Sequence, residues 1–369
     1  MKVVLTGAHG FLGWHTRVRL RSLTEHEVVA VGREDWADLA SLTAGADALI
    51  HVAGVNRGTP SDVEHVNVAL AEDVAEAVRK SGSVTRLVYA NSIWAGTASP
   101  YGAGKASANF VLAEAASDAG AAYVDVRLPN LFGEHGRPQY NSFVATFVDA
   151  VLCGGSAEIV DKPIDLLHVQ DAAQALIHGL ATTLSHLEPL GHSSTVQGVY
   201  DRLEAYFALY RTGEVPDLHD PFDVNLFNTL RAAMFPKHYP IALTAHADER
   251  GRLVETVRSH GGGGQSFAST TRPGVTRGEH FHLTKVERFV VLSGQARISL
   301  RKVFHDEVVS FDVTGEEPVV IDMPTLWVHN ITNTGDTELL TQFWTNRLFD
   351  PEHPDTYWEP VGDGSESDA

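Results

Sequence analysis

The 369-residue sequence has a single cysteine, no long hydrophobic run and comparatively few positive charges. The lone Cys153 excludes an internal disulfide framework, and its place in an apolar helical pattern predicts a core position rather than a catalytic one. No apolar stretch approaches the roughly 18 residues that a membrane-spanning helix needs. Met1-Lys2, followed by only three apolar residues, does not resemble a signal peptide. These absences favour a cytoplasmic location.

The charge balance is strongly acidic, with 47 Asp and Glu against 28 Lys and Arg, a formal net charge of −19. Such a surface argues against nucleic acid and anionic membranes as partners. An anionic small-molecule substrate would need local basic groups to counter this field. The length allows two or three domains, and 43% hydrophobic residues support a well-buried core.

Glycines dominate the first chemical motif, VVLTGAHGFLG, at the start of the chain. The pattern predicts a strand, a phosphate-binding turn and the first turn of a helix. Glycine lacks the Cβ that would hold the backbone away from a pyrophosphate, and the first helical N–H groups attract the anion. A glycine-rich β–α turn without a ligand is the alternative. We predict a dinucleotide site formed by Gly7, Gly10, Phe11, Leu12 and Gly13.

Strands and helices alternate through the first half of the chain. This alternation implies right-handed βαβ units and a parallel sheet, and therefore an α/β Rossmann-like doubly wound domain. The predicted strands are 27–31, 47–52, 86–90 and 122–128, and the predicted helices cover about 62–80, 101–119 and 172–184.

Arg33 follows the second predicted strand, where NAD-specific enzymes usually place an acidic residue for the ribose 2′-hydroxyl. A basic residue there favours a 2′-phosphate, so we predict NADPH as the cofactor. Glu34 and Asp35 follow at once and are an alternative ribose contact, and a solvated Arg33 is another. Ala53 and Gly54, after the third strand, allow the backbone to approach the cofactor.

Ser92, Tyr101 and Lys105 form the predicted catalytic set. Tyr101-x-x-x-Lys105 places both side chains on one helix face, one turn apart. An ammonium beside a phenol is expected to lower the pKa of Tyr101, which suits proton transfer near neutral pH. Ser92 can hydrogen-bond the same carbonyl or alcohol oxygen. The alternative is a chance occurrence of this common helical spacing.

Residues 1–185 resemble the extended short-chain dehydrogenase/reductase family, whose members mostly act on nucleotide-linked sugars. The segments TGAHGFLG, HVAG, ANS, YGAGK and RLPNLFG carry the resemblance. It implies that Tyr101 is the acid/base, Lys105 its electrostatic partner and ribose ligand, and Ser92 the residue that orients the carbonyl. It also implies that Pro129 lies beside the nicotinamide.

A substrate lobe is expected from the departure from simple alternation after residue 133. Arg137, Asn141 and His168 are candidate contacts to a sugar or diphosphate, with a surface-loop role as the alternative. Helices at 200–210 and 224–235 are assigned to packing. The predicted NADP-binding reductase domain with its substrate lobe covers residues 1–238.

From residue 239 the pattern changes to short β-rich runs about ten residues apart. Such spacing predicts an antiparallel barrel or jelly roll over residues 239–361. The runs are IALTAH, RLVETVR, QSFASTT, ERFVVLSG, ARISL, VVSFDV, PVVIDM and ELLTQFWT. The tail 362–369, GDGSESDA, is predicted to be disordered.

Histidines cluster in this β region. Gly274-x5-His280-Phe281-His282-x4-Glu287-x6-Gly294 is followed by Pro324-x4-His329-x3-Asn333. Residues two apart on a strand share a face, so His280 and His282 are expected to enter the barrel. Glu287 and His329 can complete a set of three nitrogens and one oxygen, which suits Zn, Fe, Mn or Ni. A hydrogen-bonded core histidine is the alternative for any one of them.

These motifs resemble the two cupin motifs. By resemblance the metal ligands are His280, His282, Glu287 and His329, and zinc is the favoured ion. The second motif departs from the family pattern at Leu326, where a glycine is usual; this affects the turn before His329 but leaves that ligand in place.

A reductase followed by a cupin resembles bacterial capsular polysaccharide enzymes of the CapF type over nearly the whole chain, through HVAGVNR, RLPNLFG with RPQYNSF, and TRGEHFHLTKVERFVVLSG. The resemblance implies a homodimeric enzyme that makes the UDP-N-acetyl-L-fucosamine precursor. Its cupin would epimerise C3 of a UDP-4-keto-6-deoxy-HexNAc, and the reductase would use NADPH to form UDP-N-acetyl-6-deoxy-L-talosamine. Alternatives are a single-reaction reductase or 4-epimerase with a structural, dimerising cupin, and a cupin acting as an independent iron oxygenase or sugar sensor.

Overall fold

The computed structural model describes residues 1–140 and 142–362 and divides into two compact units. The first comprises Met1–Thr146 and Ile159–Gln197, and the second comprises Phe147–Glu158 and the chain from Gly198 onward. The candidate contact Asn141 and the predicted disordered tail from residue 363 lie outside the described residues.

Eight α-helices and one short 3-10 helix, Trp36–Asp38, occur in the described chain. The α-helices are α1 (Phe11–Leu23), α2 (Leu39–Thr43), α3 (Pro60–Ser81), α4 (Pro100–Asp118), α5 (Phe143–Leu152), α6 (Val169–His178), α7 (Val196–Tyr210) and α8 (Pro221–Met234). No described helix combines the length and apolar character needed to cross a membrane.

The first unit contains nine strands. They are β1 (Lys2–Thr6), β2 (Glu27–Val31), β3 (Ala48–His51), β4 (Arg86–Ser92), β5 (Ala122–Leu128), β6 (Asn130–Phe132), β7 (Pro163–His168), β8 (His186–Leu187) and β9 (His192–Thr195). Six of them form a parallel sheet in the order β2-β1-β3-β4-β5-β8, and β6-β7-β9 form a small second sheet. The predicted doubly wound α/β fold is confirmed.

The central sheet is apolar on both faces, which explains the near-continuous hydrophobic strands. Val3 and Leu5 of β1 pack in one core together with residues of α1 and α6, and Val4 packs in the other with residues of α3 and α4. The strict period of two along a strand therefore sends alternate residues to opposite helical layers.

Local signals set the ends of the long helix α3. Thr59 and Asp62 form a reciprocal capping box at its start, and Gly82 ends it in a left-handed conformation with φ of 61°. Gly104 of α4 allows close packing of the two helices, since a Cβ there would lie 2.7 Å from the Glu64 carbonyl oxygen. The close approach at Gly104 packs α4, which carries Tyr101 and Lys105, against α3.

The β-rich region of the second unit has twelve strands. They are β10 (Ile241–Ala242), β11 (Ala245–Asp248), β12 (Gly251–Val254), β13 (Gln265–Thr271), β14 (Thr276–Phe281), β15 (Glu287–Ser293), β16 (Gln295–Lys302), β17 (Val308–Thr314), β18 (Val319–Met323), β19 (Trp327–Asn333), β20 (Leu339–Thr345) and β21 (Tyr357–Trp358). Two antiparallel five-stranded sheets, β10-β18-β15-β20-β13 and β17-β16-β19-β14-β21, form the predicted jelly roll.

Helices α7 (from Gly198) and α8 belong to the same compact unit as the jelly roll. The Tyr210 hydroxyl of α7 donates to Asp322 of β18 at 2.6 Å, and Arg231 of α8 donates to the Met323 carbonyl at 3.2 Å. Sequence analysis placed these helices in the reductase domain, with a boundary at residue 238. The compact units differ from that division because buried polar side chains bind the helices to β18.

Cys153 is exposed, so its predicted core position is wrong. Helix α5 ends at Leu152, and Gly154 follows with a left-handed φ of 66°. The chain therefore turns at the cysteine, and the apolar helical pattern does not continue through it.

Candidate functional site

The glycine motif forms a narrow cradle between β1 and α1. Gly7 has a φ of 68°, and a Cβ there would lie 2.7 Å from the Ala53 nitrogen. A Cβ on Gly13 would lie only 1.9 Å from the Gly7 carbonyl oxygen. Gly10 is the N-cap of α1, which has neither a side-chain cap nor an acidic residue in its first turn. Phe11 and Leu12 are its first residues. Because no side chain caps this end, its backbone N–H groups are available to bind an anion.

The loop after β3 is fixed to this cradle by buried polar side chains. Thr6 Oγ1 and His51 Nδ1 are hydrogen-bonded at 2.8 Å, and Thr6 Oγ1 also accepts from the Val52 N–H at 3.2 Å. Burial lowers the pKa of His51 to about 3, with a smaller contribution from Lys105. The imidazole is therefore neutral at physiological pH and bonds to Thr6 Oγ1, which also accepts from the Ala53 N–H at 3.4 Å.

Arg33 lies exposed immediately after β2, as the sequence predicts. The competing acid Asp35 is already engaged, since its carboxylate accepts the Gly32 N–H at 2.8 Å. The carboxylate keeps further acceptor positions, so Arg33 and Asp35 both stay candidates to face the adenosine ribose.

Ser92 ends β4, and Tyr101 and Lys105 lie one turn apart on α4. Burial raises the pKa of Tyr101, and a hydrogen bond with the Ser92 side chain offsets part of that rise. The predicted lowering of the Tyr101 pKa is therefore wrong in direction. The Lys105 ammonium instead donates to the Ala90 carbonyl at 2.8 Å and lies 4.7 Å from the centre of the Tyr89 ring.

Lys105 is itself perturbed by its surroundings. Burial lowers its pKa to about 8, although Asp125 acts in the opposite direction. Asp125 is held by the Asn91 amide at 2.8 Å and by Arg127 at 3.1 Å. Sequence analysis missed this carboxylate because nothing in its neighbourhood on β5 distinguishes it from a surface residue.

His168 is not available as a substrate contact. Its Nε2 lies 3.0 Å from Glu134 Oε2, and both side chains are buried. Burial opposes ionisation of Glu134, but His168, together with His15 and a backbone hydrogen bond, holds the carboxyl pKa far below its usual range. Arg137, by contrast, is exposed in the loop after β6, where a ligand can reach it.

The four predicted metal ligands converge in the jelly roll. Their donor atoms lie within 4.8 Å of one another, with His282 and His329 Nε2 at 2.9 and 3.1 Å from Glu287 Oε2 and His280 Nε2 at 3.7 Å. The cluster joins the two sheets, since Glu287 starts β15 while His280 and His329 are paired across β14 and β19.

The surroundings of Glu287 and His329 fit a site for a divalent cation. Burial would raise the pKa of Glu287, but His282 and hydrogen bonds from the three imidazoles hold it well below its usual range. Burial lowers the pKa of His329 to about 4. A carboxylate together with imidazole nitrogens is the donor set that zinc and similar ions prefer.

A segment near the chain end fixes the orientation of His282. The Asp355 carbonyl accepts from its Nδ1 at 2.6 Å, which leaves Nε2 for the cluster. The Asp355 carboxylate also accepts the N–H groups of Leu283, Thr284 and Lys285. Sequence analysis missed Asp355 because its partners lie about 70 residues away along the chain.

The turn before His329 forms with Leu326 in place of the glycine that is usual in the second cupin motif. Leu326 is fully buried and adopts a left-handed φ of 67°, and its N–H donates to the His282 carbonyl at 2.8 Å. Burial and this hydrogen bond offset the roughly 1–2 kcal/mol that such a conformation costs a non-glycine residue. His329 consequently keeps its place in the cluster.

A cavity of about 350 Å³ lies beside the cluster in the second unit. Glu287 and Lys285 line it, together with Arg347 and the hydrogen-bonded pair His353 and Asp350. Burial lowers the pKa of Lys285, whose ammonium donates to Thr356 Oγ1 at 3.1 Å. The space is of the size that a sugar ring can enter.

The first unit combines a glycine cradle with a Ser–Tyr–Lys set at the carboxyl edge of a parallel sheet. This combination is typical of nicotinamide-dependent enzymes with a Rossmann-like fold. The chain belongs to the NAD dependent epimerase/dehydratase family, whose model matches residues 3–188. Residues 246–357 match the polysaccharide biosynthesis C-terminal domain.

The particular relatives share both parts of the chain. It is 31% identical over 374 residues to UDP-2-acetamido-2,6-beta-L-arabino-hexul-4-ose reductase of Pseudomonas aeruginosa, with 99% of this chain and 100% of that protein covered. The crystal structure of the capsular polysaccharide assembling protein CapF from Staphylococcus aureus matches with a TM-score of 0.63 at 30% identity, covering 98% and 100% of the two chains. The predicted resemblance to CapF-type enzymes is confirmed.

A third match extends the fold comparison beyond these relatives. UDP-N-acetylglucosamine 4-epimerase from Methanobrevibacter ruminantium matches with a TM-score of 0.55 at 19% identity, covering 63% of this chain and 98% of that one. At this identity the likeness shows the fold alone.

Proposed function

We propose that this chain is a bifunctional nucleotide-sugar enzyme of capsular polysaccharide biosynthesis. The jelly roll epimerises C3 of a UDP-4-keto-6-deoxy-HexNAc, and the Rossmann-like unit reduces the C4 ketone with NADPH to UDP-N-acetyl-6-deoxy-L-talosamine. The observation that carries the proposal is the full-length likeness to a reductase named for a hexul-4-ose, a sugar with a ketone at C4.

The reduction follows from the Ser92, Tyr101 and Lys105 arrangement. Ser92 hydrogen-bonds the C4 carbonyl oxygen, and the Tyr101 phenol gives that oxygen a proton as the ketone becomes an alcohol. Burial raises the pKa of Tyr101, so the phenol is protonated and able to act as an acid at neutral pH. NADPH supplies the hydride that C4 receives.

The cofactor assignment depends on the cradle and on Arg33. The Gly7–Gly13 turn and the uncapped N-terminus of α1 bind the pyrophosphate. We assign the 2′-phosphate to Arg33, the exposed basic residue that follows β2. We propose Ala53, Gly54 and Pro129 as further cofactor contacts, together with Tyr101 and Lys105.

The epimerisation needs an acidic C–H beside the C4 ketone and a group that can remove the proton. The cavity offers Lys285 and the Asp350-supported His353 next to Glu287. A divalent ion held by His280, His282, Glu287 and His329, for which we favour zinc, would supply positive charge where an enolate oxygen develops. Homodimerisation and a cytoplasmic location stay predictions.

A reductase without epimerase activity is the second candidate, because the full-length relative is named only as a reductase. In that case the metal cluster would stabilise the jelly roll and take no part in the chemistry. The two candidates differ in whether the chain alters C3 of the ketosugar.

The reductase assignment is tested by supplying a UDP-4-keto-6-deoxy-HexNAc with NADPH and following NADPH absorbance and the product. Wild type should oxidise NADPH and form the 6-deoxy-talo product. Tyr101→Phe should lower the rate at least a hundredfold, the usual worth of general acid catalysis. Tyr123→Phe, at a half-buried tyrosine on β5 whose hydroxyl donates to Asn109, is the matched control. A Tyr101→Phe rate near that of wild type would refute the role of Tyr101.

A further inference from the structure

In the first unit, two arginines from different loops contact the ring of the same exposed tyrosine. The guanidinium carbon of Arg57 lies 5.6 Å from the centre of the Tyr140 ring, and that of Arg137 lies 5.2 Å from it. All three side chains are exposed, and Tyr140 retains 41% of its accessible surface. Cation–π contacts of this kind hold both cations near one ring while their donors stay free to bind a ligand.

The topology places this arrangement above the reductase site. Arg57 lies in the loop after β3, and Tyr140 and Arg137 lie in the loop after β6, which continues from β5. Strand β4 lies between β3 and β5 in the sheet and carries Ser92 at its carboxyl end. The contact between Arg57 and Tyr140 therefore joins the loop after β3 to the loop after β6.

The guanidinium groups of Arg57 and Arg137 differ in their ion pairing from other arginines of the first unit. Among residues 1–140 and 142–362, neither guanidinium forms an ion pair with a carboxylate. Arg79 and Arg127 of the same unit, in contrast, pair with Asp118 and Asp125. In a chain with a net charge of −19, two adjacent unpaired arginines create a local positive field that attracts an anion.

We propose that Arg57 and Arg137, positioned by Tyr140, bind the diphosphate of the nucleotide-sugar substrate. Guanidinium groups match phosphate oxygens with paired N–H donors, which a lysine ammonium cannot do. This inference rests on the proposed function, because it takes the substrate to be a uridine diphosphate sugar. The cofactor also contains a diphosphate, so the test must separate the two sources.

The experiment measures binding of UDP and of NADPH to the full chain by titration calorimetry. Arg57→Ala and Arg137→Ala should each raise the Kd for UDP about tenfold, the worth of one hydrogen bond to a charged group. The Kd for NADPH should stay within twofold of wild type. Arg57→Lys should recover part of the loss, and Tyr140→Phe, which keeps the ring, should bind UDP as wild type does.

Arg79→Ala is the matched control. It removes the same charge at the far end of α3, a 22-residue helix about 33 Å long that begins just after the Arg57 loop. Unchanged UDP affinity in Arg57→Ala and Arg137→Ala would overturn the inference while leaving the proposed function intact. Weakened NADPH binding with intact UDP binding would also overturn it and assign the arginines to the cofactor. If wild type bound NADPH but not UDP, the proposed substrate would fail as well.

Discussion

Two cross-strand ion pairs in the jelly roll share their geometry and differ in burial. Arg288 of β15 binds Asp322 of β18 through two hydrogen bonds of 2.8 and 2.9 Å, and both side chains are almost fully buried, with 1% and 0% exposed. Arg297 of β16 binds Asp312 of β17 through bonds of 2.8 and 3.0 Å, with 54% and 70% exposed. Each pair joins residues directly opposite each other on antiparallel strands.

Removal of the two aspartates should therefore have very different costs. Asp322→Ala leaves Arg288 charged and buried without its partner and also removes the acceptor of Tyr210, which costs about 3–5 kcal/mol. Asp312→Ala breaks an exposed pair whose worth is about 0.2–1 kcal/mol. Because domains are stable by only about 5–15 kcal/mol, the first change removes a large part of the stability of its unit.

Hydrogen–deuterium exchange with mass spectrometry measures this difference segment by segment in the full chain. In Asp322→Ala, amides of β15 and β18 should exchange at least a hundredfold faster than in wild type. Peptides of β1 and β3 should be unchanged and serve as an internal reference. Asp312→Ala should change β16 and β17 less than about tenfold, and Asp322→Asn, which keeps a polar side chain, should have an intermediate effect. Equal effects of the two alanine variants would refute the argument from burial.

Three further predictions concern the sites. Gly13→Ala places a Cβ against the Gly7 carbonyl and should weaken NADPH binding at least tenfold in a fluorescence titration, with metal content unchanged; wild-type affinity would contradict the cradle. Because burial lowers the pKa of Lys105 to about 8, its ammonium is lost as pH rises through that value. The kcat/KM for reduction should then fall about tenfold per pH unit above 8. If kcat/KM of Lys105→Arg fell in the same way above pH 8, the assignment of this fall to Lys105 would be contradicted. His282→Ala should lower the bound metal measured by mass spectrometry at least tenfold, whereas the exposed His246→Ala should retain it; equal contents would exclude His282 as a ligand.

The features that sequence analysis predicted are those encoded locally. The strand 122–128 matches β5, and the parallel alternation of the first half is confirmed. The histidine cluster is also accessible from sequence, because period-two spacing brings His280 and His282 to one face and the motif spacing supplies Glu287 and His329. In each case a short pattern carries the information.

The features that it missed depend on partners far apart in the chain. His168 looked like a ligand contact because Glu134, its buried partner, is 34 residues away. The pKa of Tyr101 depends on burial and on a hydrogen bond with Ser92, neither of which a helical spacing reveals. The grouping of α7 and α8 with the jelly roll likewise follows from long-range hydrogen bonds such as that between Tyr210 and Asp322, 112 residues apart.

The most direct test of the two-step reaction is deuterium incorporation at C3. Wild-type protein is incubated with a UDP-4-keto-6-deoxy-HexNAc in deuterated water without NADPH, and the C3 proton is followed by NMR. Our account predicts that the C3 proton signal disappears, and that later addition of NADPH gives the 6-deoxy-talo product with deuterium at C3. Persistence of the C3 proton, with NADPH still oxidised on addition, would show that the chain is a reductase alone.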